Sequence, residues 1–241
     1  MGRYLLIGLL CVLVFAVVFA PAALIPRLAA DVPGLRMHNT AGTLWRGSAD
    51  VRIEGQDLGR AYWQVRPAAL LMARLSLDLQ IEAAEERLEA QIQRRLRSTE
   101  GTLQGRILMD RFEEMLRTYD LIIPGAIDIV ALQFRHRDAD PLPHIEGQLQ
   151  WTGGDVRYVL GGDRHQTRLP PLVGQVVTTS DSPTLQVTEE QSETPLMRAS
   201  IAPDGWATIG ISRRFTEMVG QPWQTDAPPQ TMVLEVQEKL F

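Results

Sequence analysis

The chain has 241 residues with a formal net charge of −5, and 45% of the residues are hydrophobic and 22% charged. This length and balance fit one large globular domain or two small ones with a sizeable hydrophobic core. The negative charge and the scattered arginines argue against a nucleic-acid-binding protein, which would carry a basic face.

The first predicted element is a transmembrane helix over residues 5–25. No charged residue occurs between Tyr4 and Pro26, and about 20 helical residues span the roughly 30 Å of a bilayer's hydrocarbon core. Arg3 precedes the apolar run, so the positive-inside rule places residues 1–4 in the cytoplasm and exports the rest of the chain. The sequence therefore predicts a single-pass protein of the inner membrane, with residues 26–34 as a junction.

Two other interpretations of this segment remain open. Residues 20–22 resemble the small-residue cleavage site of a secretory signal peptide, which would also export the chain. A buried helix of a soluble domain is the third interpretation, although a uniformly apolar helix needs apolar surroundings on every side. The only cysteine, Cys11, lies in this run, so the rest of the chain excludes disulfides and thiolate sites.

The exported part is predicted to be mainly β. Residues 75–81 alternate apolar and polar side chains with a period of two, which indicates a half-buried strand. Weaker alternation occurs at 51–53, 62–65, 127–134, 145–151, 156–160, 184–187, 207–211 and 232–236. Short strands at this spacing favour antiparallel sheets or sandwich-like packing.

Two or three short helices are predicted among these strands. Residues 111–119 carry apolar side chains at helical spacing, and residues 213–219 follow the polar Ser212. Pro67 is well placed to begin a helical turn over 67–73. Residues 88–96 fit a helix stripe as well as a strand face, and we favour the strand.

The best predicted internal boundary is the Pro141-Leu142-Pro143 segment. It separates a β unit over residues 35–140 from a second over residues 141–241. Residues 42–52 and 147–157 share glycine, leucine, tryptophan and Asp-Val-Arg positions, which indicates either a two-fold repeat or a chance similarity of turn-rich sequence.

The sequence shows no constellation of an enzyme. The four histidines are scattered, and the sequence has no phosphate-binding glycine loop, nucleophile elbow or zinc-protease motif. The interval from His136 to His144, with Asp138 and Asp140 inside it, is the only cluster worth testing for a metal. We therefore expect no catalytic residue, cofactor, metal or small-molecule ligand.

Tryptophans are the more informative residues. Trp45 lies among small residues in the segment from Gly42 to Gly47, where glycine allows close approach of the backbone. Such a tryptophan either packs in the core or contacts a partner. The candidates for structural or partner-contact roles are Gly42, Thr43, Leu44, Trp45, Gly47, Trp63 and Trp151.

Several segments together resemble a known family. The apolar N-terminal run with a Pro-Ala-rich end is followed by Gly-Thr-Leu-Trp-Arg-Gly-Ser-Ala at 42–49 and Trp-Gln-Val-Arg-Pro-Ala-Ala-Leu-Leu at 63–71. This order resembles protein N of the bacterial type II secretion system, as do residues 147–151, 169–174 and 235–241. The resemblance implies a bitopic accessory component with its bulk in the periplasm and no catalytic residues.

The expected function follows from this resemblance. It is a non-enzymatic, periplasm-facing role in the export of folded proteins, through contacts with other type II secretion components of the inner-membrane platform or the periplasm. The lipid bilayer of the inner membrane is the other expected partner. The alternative is a membrane-tethered periplasmic module that handles lipids, because a curved antiparallel sheet could offer an apolar face to acyl chains.

Overall fold

The computed structural model describes residues 15–16, 18–28, 32–53, 55–224 and 226–240. The chain forms two compact units, Met1–Leu96 and Arg97–Phe241. Both are built from antiparallel strands, and three short α-helices lie in the described part. The predicted mainly β class with a few short helices is therefore confirmed.

The first unit contains an antiparallel meander of five strands. They are β1 (Leu35–Gly42), β2 (Arg46–Ile53), β3 (Gln56–Val65), β4 (Leu75–Ala83) and β5 (Glu86–Arg95), each paired with the next. Residues 88–95 are thus a strand, as favoured above. The predicted helical turn is the 3₁₀ helix Pro67–Met72, and helix α1 (Ile25–Leu28) precedes the sheet.

Alternation along these strands places the apolar side chains on one face of the sheet. Gly47 pairs with Trp63, Trp63 with Leu79 and Leu79 with Ala90, so these four residues form one row across the strands. The core of this face contains Ala22, Ala49 and Trp63, and Met37 and Leu77 pack against it.

The second unit contains a larger and a smaller antiparallel sheet. The strands of the larger sheet are, in spatial order, β6 (Ser98–Leu108), β8 (Ala126–Arg137), β9 (His144–Trp151), β12 (Leu172–Thr179), β13 (Ser182–Glu189), β14 (Pro195–Ile201), β15 (Trp206–Ser212) and β16 (Met232–Lys239). The strands of the smaller sheet are, in spatial order, β11 (Asp163–Leu169), β10 (Gly154–Leu160) and β7 (Leu121–Ile122).

Both predicted helices of the second unit are present. Helix α2 (Glu113–Arg117) follows the 3₁₀ helix Met109–Phe112, and helix α3 (Arg213–Met218) follows β15. The hydroxyl of Ser212 accepts a hydrogen bond from the Phe215 amide at 3.2 Å, which satisfies one free N–H at the start of α3.

The larger sheet also has one apolar and one polar face. Leu149 pairs with Gly174, Gly174 with Val187 and Val187 with Met197, which makes an apolar row. On the other face, the guanidinium of Arg106 donates two hydrogen bonds of 2.7 Å to the carboxylate of Asp128 on the next strand. The small sheet and α3 lie on the apolar side.

The predicted boundary at residues 141–143 does not coincide with the division between the two units at residues 96 and 97. Pro141, Leu142 and Pro143 lie in the connection between β8 and β9, inside the second unit. The two-fold repeat of residues 35–140 and 141–241 stays a prediction.

The predicted membrane helix also stays a prediction, because residues 1–14 and 17 lie outside the described part of the chain. Within the described residues, no helix has both the length and the apolar character needed to cross a membrane.

Candidate functional site

The segment 42–47, singled out from the sequence, is the turn that joins β1 to β2. Gly42 has a φ of 93°, and a Cβ atom there would lie 2.5 Å from the carbonyl oxygen of Arg46. The Thr43 amide donates to this same oxygen at 2.8 Å, and the Arg46 amide donates to Oγ1 of Thr43 at 3.2 Å. Glycine is therefore required at 42 by both backbone conformation and space.

Gly47 makes room for the ring of Trp63. A Cβ atom at Gly47 would lie 2.5 Å from Cζ2 of Trp63 and 2.5 Å from the carbonyl oxygen of Ala41. The Trp63 side chain is only 7% exposed, and its indole N–H donates to the Thr43 carbonyl at 3.2 Å. The close approach expected around Trp45 is thus made by Trp63.

Trp45 and Leu44 lie beside this contact. Trp45 is partly exposed, and its carbonyl accepts a 2.6 Å hydrogen bond from the amide of Val65 at the end of β3. Leu44 is also partly buried. The structure therefore brings six of the seven candidate residues together in the first unit, and only Trp151 lies elsewhere.

Residues 20–25 pack against this same region. The amide of Leu44 donates to the carbonyl of Ala20 at 2.8 Å, and Pro21 forms a β-bridge with Thr43. Ala22 is 1% exposed and packs in the core cluster with Ala49, which is 0% exposed. The end of the predicted membrane helix is therefore part of the core of the first unit.

The second unit contains an apolar cavity of about 550 Å³. One wall is the apolar face of the larger sheet, and the opposite wall comes from the small sheet and from α3. Six residues define it here: Leu149, Trp151, Val187 and Met197 from the larger sheet, Val156 from the small sheet and Phe215 from α3. We call this space the apolar cavity below.

The polar atoms in the wall of the apolar cavity are already paired. The indole N–H of Trp151 donates to the Pro124 carbonyl at 2.9 Å, and the hydroxyl of Tyr158 donates to the Val219 carbonyl at 2.5 Å. Trp151, a candidate from the sequence, thus lines a cavity through its ring while its nitrogen is bound to the backbone.

Hydrogen bonds hold the small sheet against the end of α3. Besides the Tyr158 contact, the hydroxyl of Thr167 donates to the Met218 carbonyl at 3.1 Å. The rings of Tyr158 and His165 stack with centroids 5.1 Å apart. The two hydrogen bonds link residues 61 and 51 positions apart along the chain, so no local pattern in the sequence could have indicated the cavity.

The histidines do not gather at one place. His144 lies 3.3 Å from the carboxylate of Asp181, and His165 lies within 3.4 Å of the amide of Gln221. In the described part of the chain, no group of three or more His, Cys, Asp or Glu residues could hold a metal ion. The interval from His136 to His144 spans the end of β8 and the start of β9.

Comparison with known proteins yields one match. The family model described as "Type II secretion system (T2SS), protein N" matches residues 33–226. The match covers strands of both units and far more than half of the chain. Searches of curated proteins and of solved structures found no match.

Proposed function

The chain belongs to the family of type II secretion system protein N, and we propose that it serves this machinery as a non-enzymatic, single-pass inner-membrane component with its strand-rich bulk in the periplasm. The family match over residues 33–226 is the observation that carries participation in type II secretion. As a component of this machinery, the chain acts through contacts with its other proteins.

The packing of residues 20–25 supports an anchor that stays attached. Cleavage after Ala22 would remove a residue that is 1% exposed, and it would also break the hydrogen bond between Ala20 and Leu44. A processed chain would thus lose part of the core of its first unit. A retained helix would continue directly into the folded unit and hold it close to the bilayer.

The non-enzymatic role rests on the sequence. It contains no recognisable nucleophile and base pair, and the family it resembles has no known catalytic residues. The chain would therefore contribute binding surfaces to the secretion machinery.

The test uses the full-length chain in its native membrane. Affinity purification in mild detergent should recover other proteins of the secretion platform, and deletion of the gene should lower the amount of secreted substrate in the medium. A reporter fused after Phe241 should be active only in the periplasm, and N-terminal sequencing should find the start of the unprocessed chain. Normal secretion in the deletion strain, together with no recovered secretion protein, would contradict the proposal.

A further inference from the structure

The apolar cavity lies within the second unit and has no role in the protein contacts proposed above. We propose that it binds the unbranched acyl chain of a lipid. This inference goes beyond the secretion function, and it holds or fails independently of which secretion protein the chain contacts.

The size of the cavity suits such a chain. Ligand sites in proteins commonly have volumes of about 300–1,000 Å³, and the apolar cavity has about 550 Å³. At about 30 Å³ for a group the size of a water molecule, a chain of on the order of ten to twenty methylene groups fits this volume. Ordinary membrane acyl chains fall in this range.

The chemistry of the wall distinguishes an acyl chain from a peptide. Every residue of a peptide carries an N–H and a C=O group, and burying these without hydrogen bonds costs free energy. The wall offers no partner for them, because the nitrogen of Trp151 and the hydroxyl of Tyr158 are bound to backbone carbonyls of the chain itself. An acyl chain has no such groups and covers the apolar wall with apolar atoms.

A neighbouring polar pocket shares Leu121 and Tyr158 with the apolar cavity. Its charged lining residues are Asp120, Arg157, Arg164 and Arg117, and Arg117 is paired with Glu113 at 2.7 Å. Arg157 and Arg164 lie on the face of the small sheet opposite Tyr158, because side chains alternate along a strand. We therefore assign the acyl chain to the cavity and assign no site to the polar end of the lipid.

The experiment labels lipids in living cells that express the full-length chain. Cells are fed a palmitic acid analogue with a photoactivatable diazirine and an alkyne, irradiated, and the chain is purified and digested. Mass spectrometry should find adducts on peptides that line the cavity, for example the one containing Met197. The adduct mass separates a free fatty acid from a phospholipid.

Two matched variants make the test specific. Val187 lines the cavity, whereas Val177 lies on the neighbouring strand with its side chain on the opposite face and exposed. Val187→Phe should reduce cavity labelling about tenfold or more, the scale of steric discrimination in an apolar pocket. Val177→Phe adds the same bulk and should leave it unchanged. Leu185→Phe, also in the wall, serves as a second blocking variant if Val187→Phe does not accumulate.

Two results would overturn the inference. One is the absence of adducts on cavity peptides while residues 5–25 are labelled, which shows that the probe reached the membrane. The other is equal cavity labelling in Val187→Phe, Leu185→Phe and Val177→Phe. Secretion is not the readout, so loss of the lipid inference would leave the secretion proposal to its own test.

Discussion

At the residue scale, the contact between Gly47 and Trp63 predicts a large cost for a single methyl group. Gly47→Ala would place Cβ 2.5 Å from both the Ala41 carbonyl oxygen and the Trp63 ring. Neither neighbour can move freely, since one is backbone and the other is a buried indole. We expect Gly47→Ala to lower the free energy of unfolding of the first unit by about 1–3 kcal/mol, the usual cost of overpacking.

Thermal melting of the purified full-length chain measures this effect. Gly210→Ala is the matched control, because the nearest neighbours of its Cβ would be atoms of the flexible Met232 side chain, at 3.3 Å or more. It should change the melting temperature little. Equal melting temperatures for Gly47→Ala and the parent would show that the Trp63 ring is not held against β2.

The tryptophans predict a second difference at this scale. Trp63→Ala removes a buried ring and should cost about 3–5 kcal/mol, which is a large share of the roughly 5–15 kcal/mol that stabilises a domain. Trp151→Ala should also destabilise the second unit. Both variants should melt earlier and accumulate less in cells, as measured by calorimetry and immunoblotting.

Trp45 is the informative comparison, because its side chain is partly exposed. We expect Trp45→Ala to lower the melting temperature, but less than Trp63→Ala does. If the melting temperature of Trp45→Ala is unchanged while recovery of secretion proteins is lost, then Trp45 contacts a partner and does not stabilise the first unit.

At the scale of elements, the segment that enters the first unit predicts a clear contrast between two adjacent alanines. Ala22 is buried against Ala49 and Trp63, whereas Ala23 is exposed. Ala22→Leu should destabilise the first unit by about 1–3 kcal/mol because the added atoms have no room. Ala23→Leu has the same composition and should have little effect.

Limited proteolysis of the full-length chain in membranes measures this contrast. Ala22→Leu should expose β1 and β2 to cleavage at lower protease concentration than Ala23→Leu. Equal protection would mean that residues 20–25 pass the sheet without packing on it, which would remove the structural support for an uncleaved anchor.

Many elements could be predicted from the sequence because their signals are local. The alternation in β4 and the apolar spacing around α2 each arise from residues that are close together in the sequence. Several strands gave no such signal. In β11, for example, the side chain of Thr167 faces α3 and donates a hydrogen bond to the Met218 carbonyl. Because a polar residue occupies this position, β11 does not show the alternation of apolar and polar residues that predicts a strand.

The candidate site could be predicted only where its residues are close in the chain. The turn at 42–47 stood out because its glycines and tryptophan are neighbours in the sequence, and Trp63 follows two strands later. The cavity depends on β9, β13, β14, the small sheet and α3, whose association is set by tertiary packing. Among the residues that line the cavity, Trp151 is the candidate that the sequence provides, and the sequence does not predict that Trp151 lines a cavity.

At the scale of the whole molecule, the two units differ in the structural features that they contribute. The first unit joins the predicted membrane segment to a sheet through a packed junction. The second unit contains the apolar cavity. Attachment to the membrane would keep both close to the secretion platform and would raise their effective concentration there without any additional contact.

The proposed attachment predicts that the anchor would be needed for the position that it gives the chain and not for its own sequence. A chain in which a cleavable signal peptide replaces the segment before Phe19 would be released into the periplasm, yet it would keep Ala20 and Ala22 for the core of the first unit. We expect this released chain to restore secretion in a deletion strain poorly, because it loses the effective concentration that tethering provides. A chain in which an unrelated transmembrane helix replaces the same segment should restore secretion to the level of the parent.

Secreted substrate in the medium is the measurement, and immunoblots of the periplasmic and membrane fractions must show equal amounts of both chains. Full restoration by the released chain would contradict a requirement for tethering, and failure of the swapped helix would assign a specific contact to residues before Phe19.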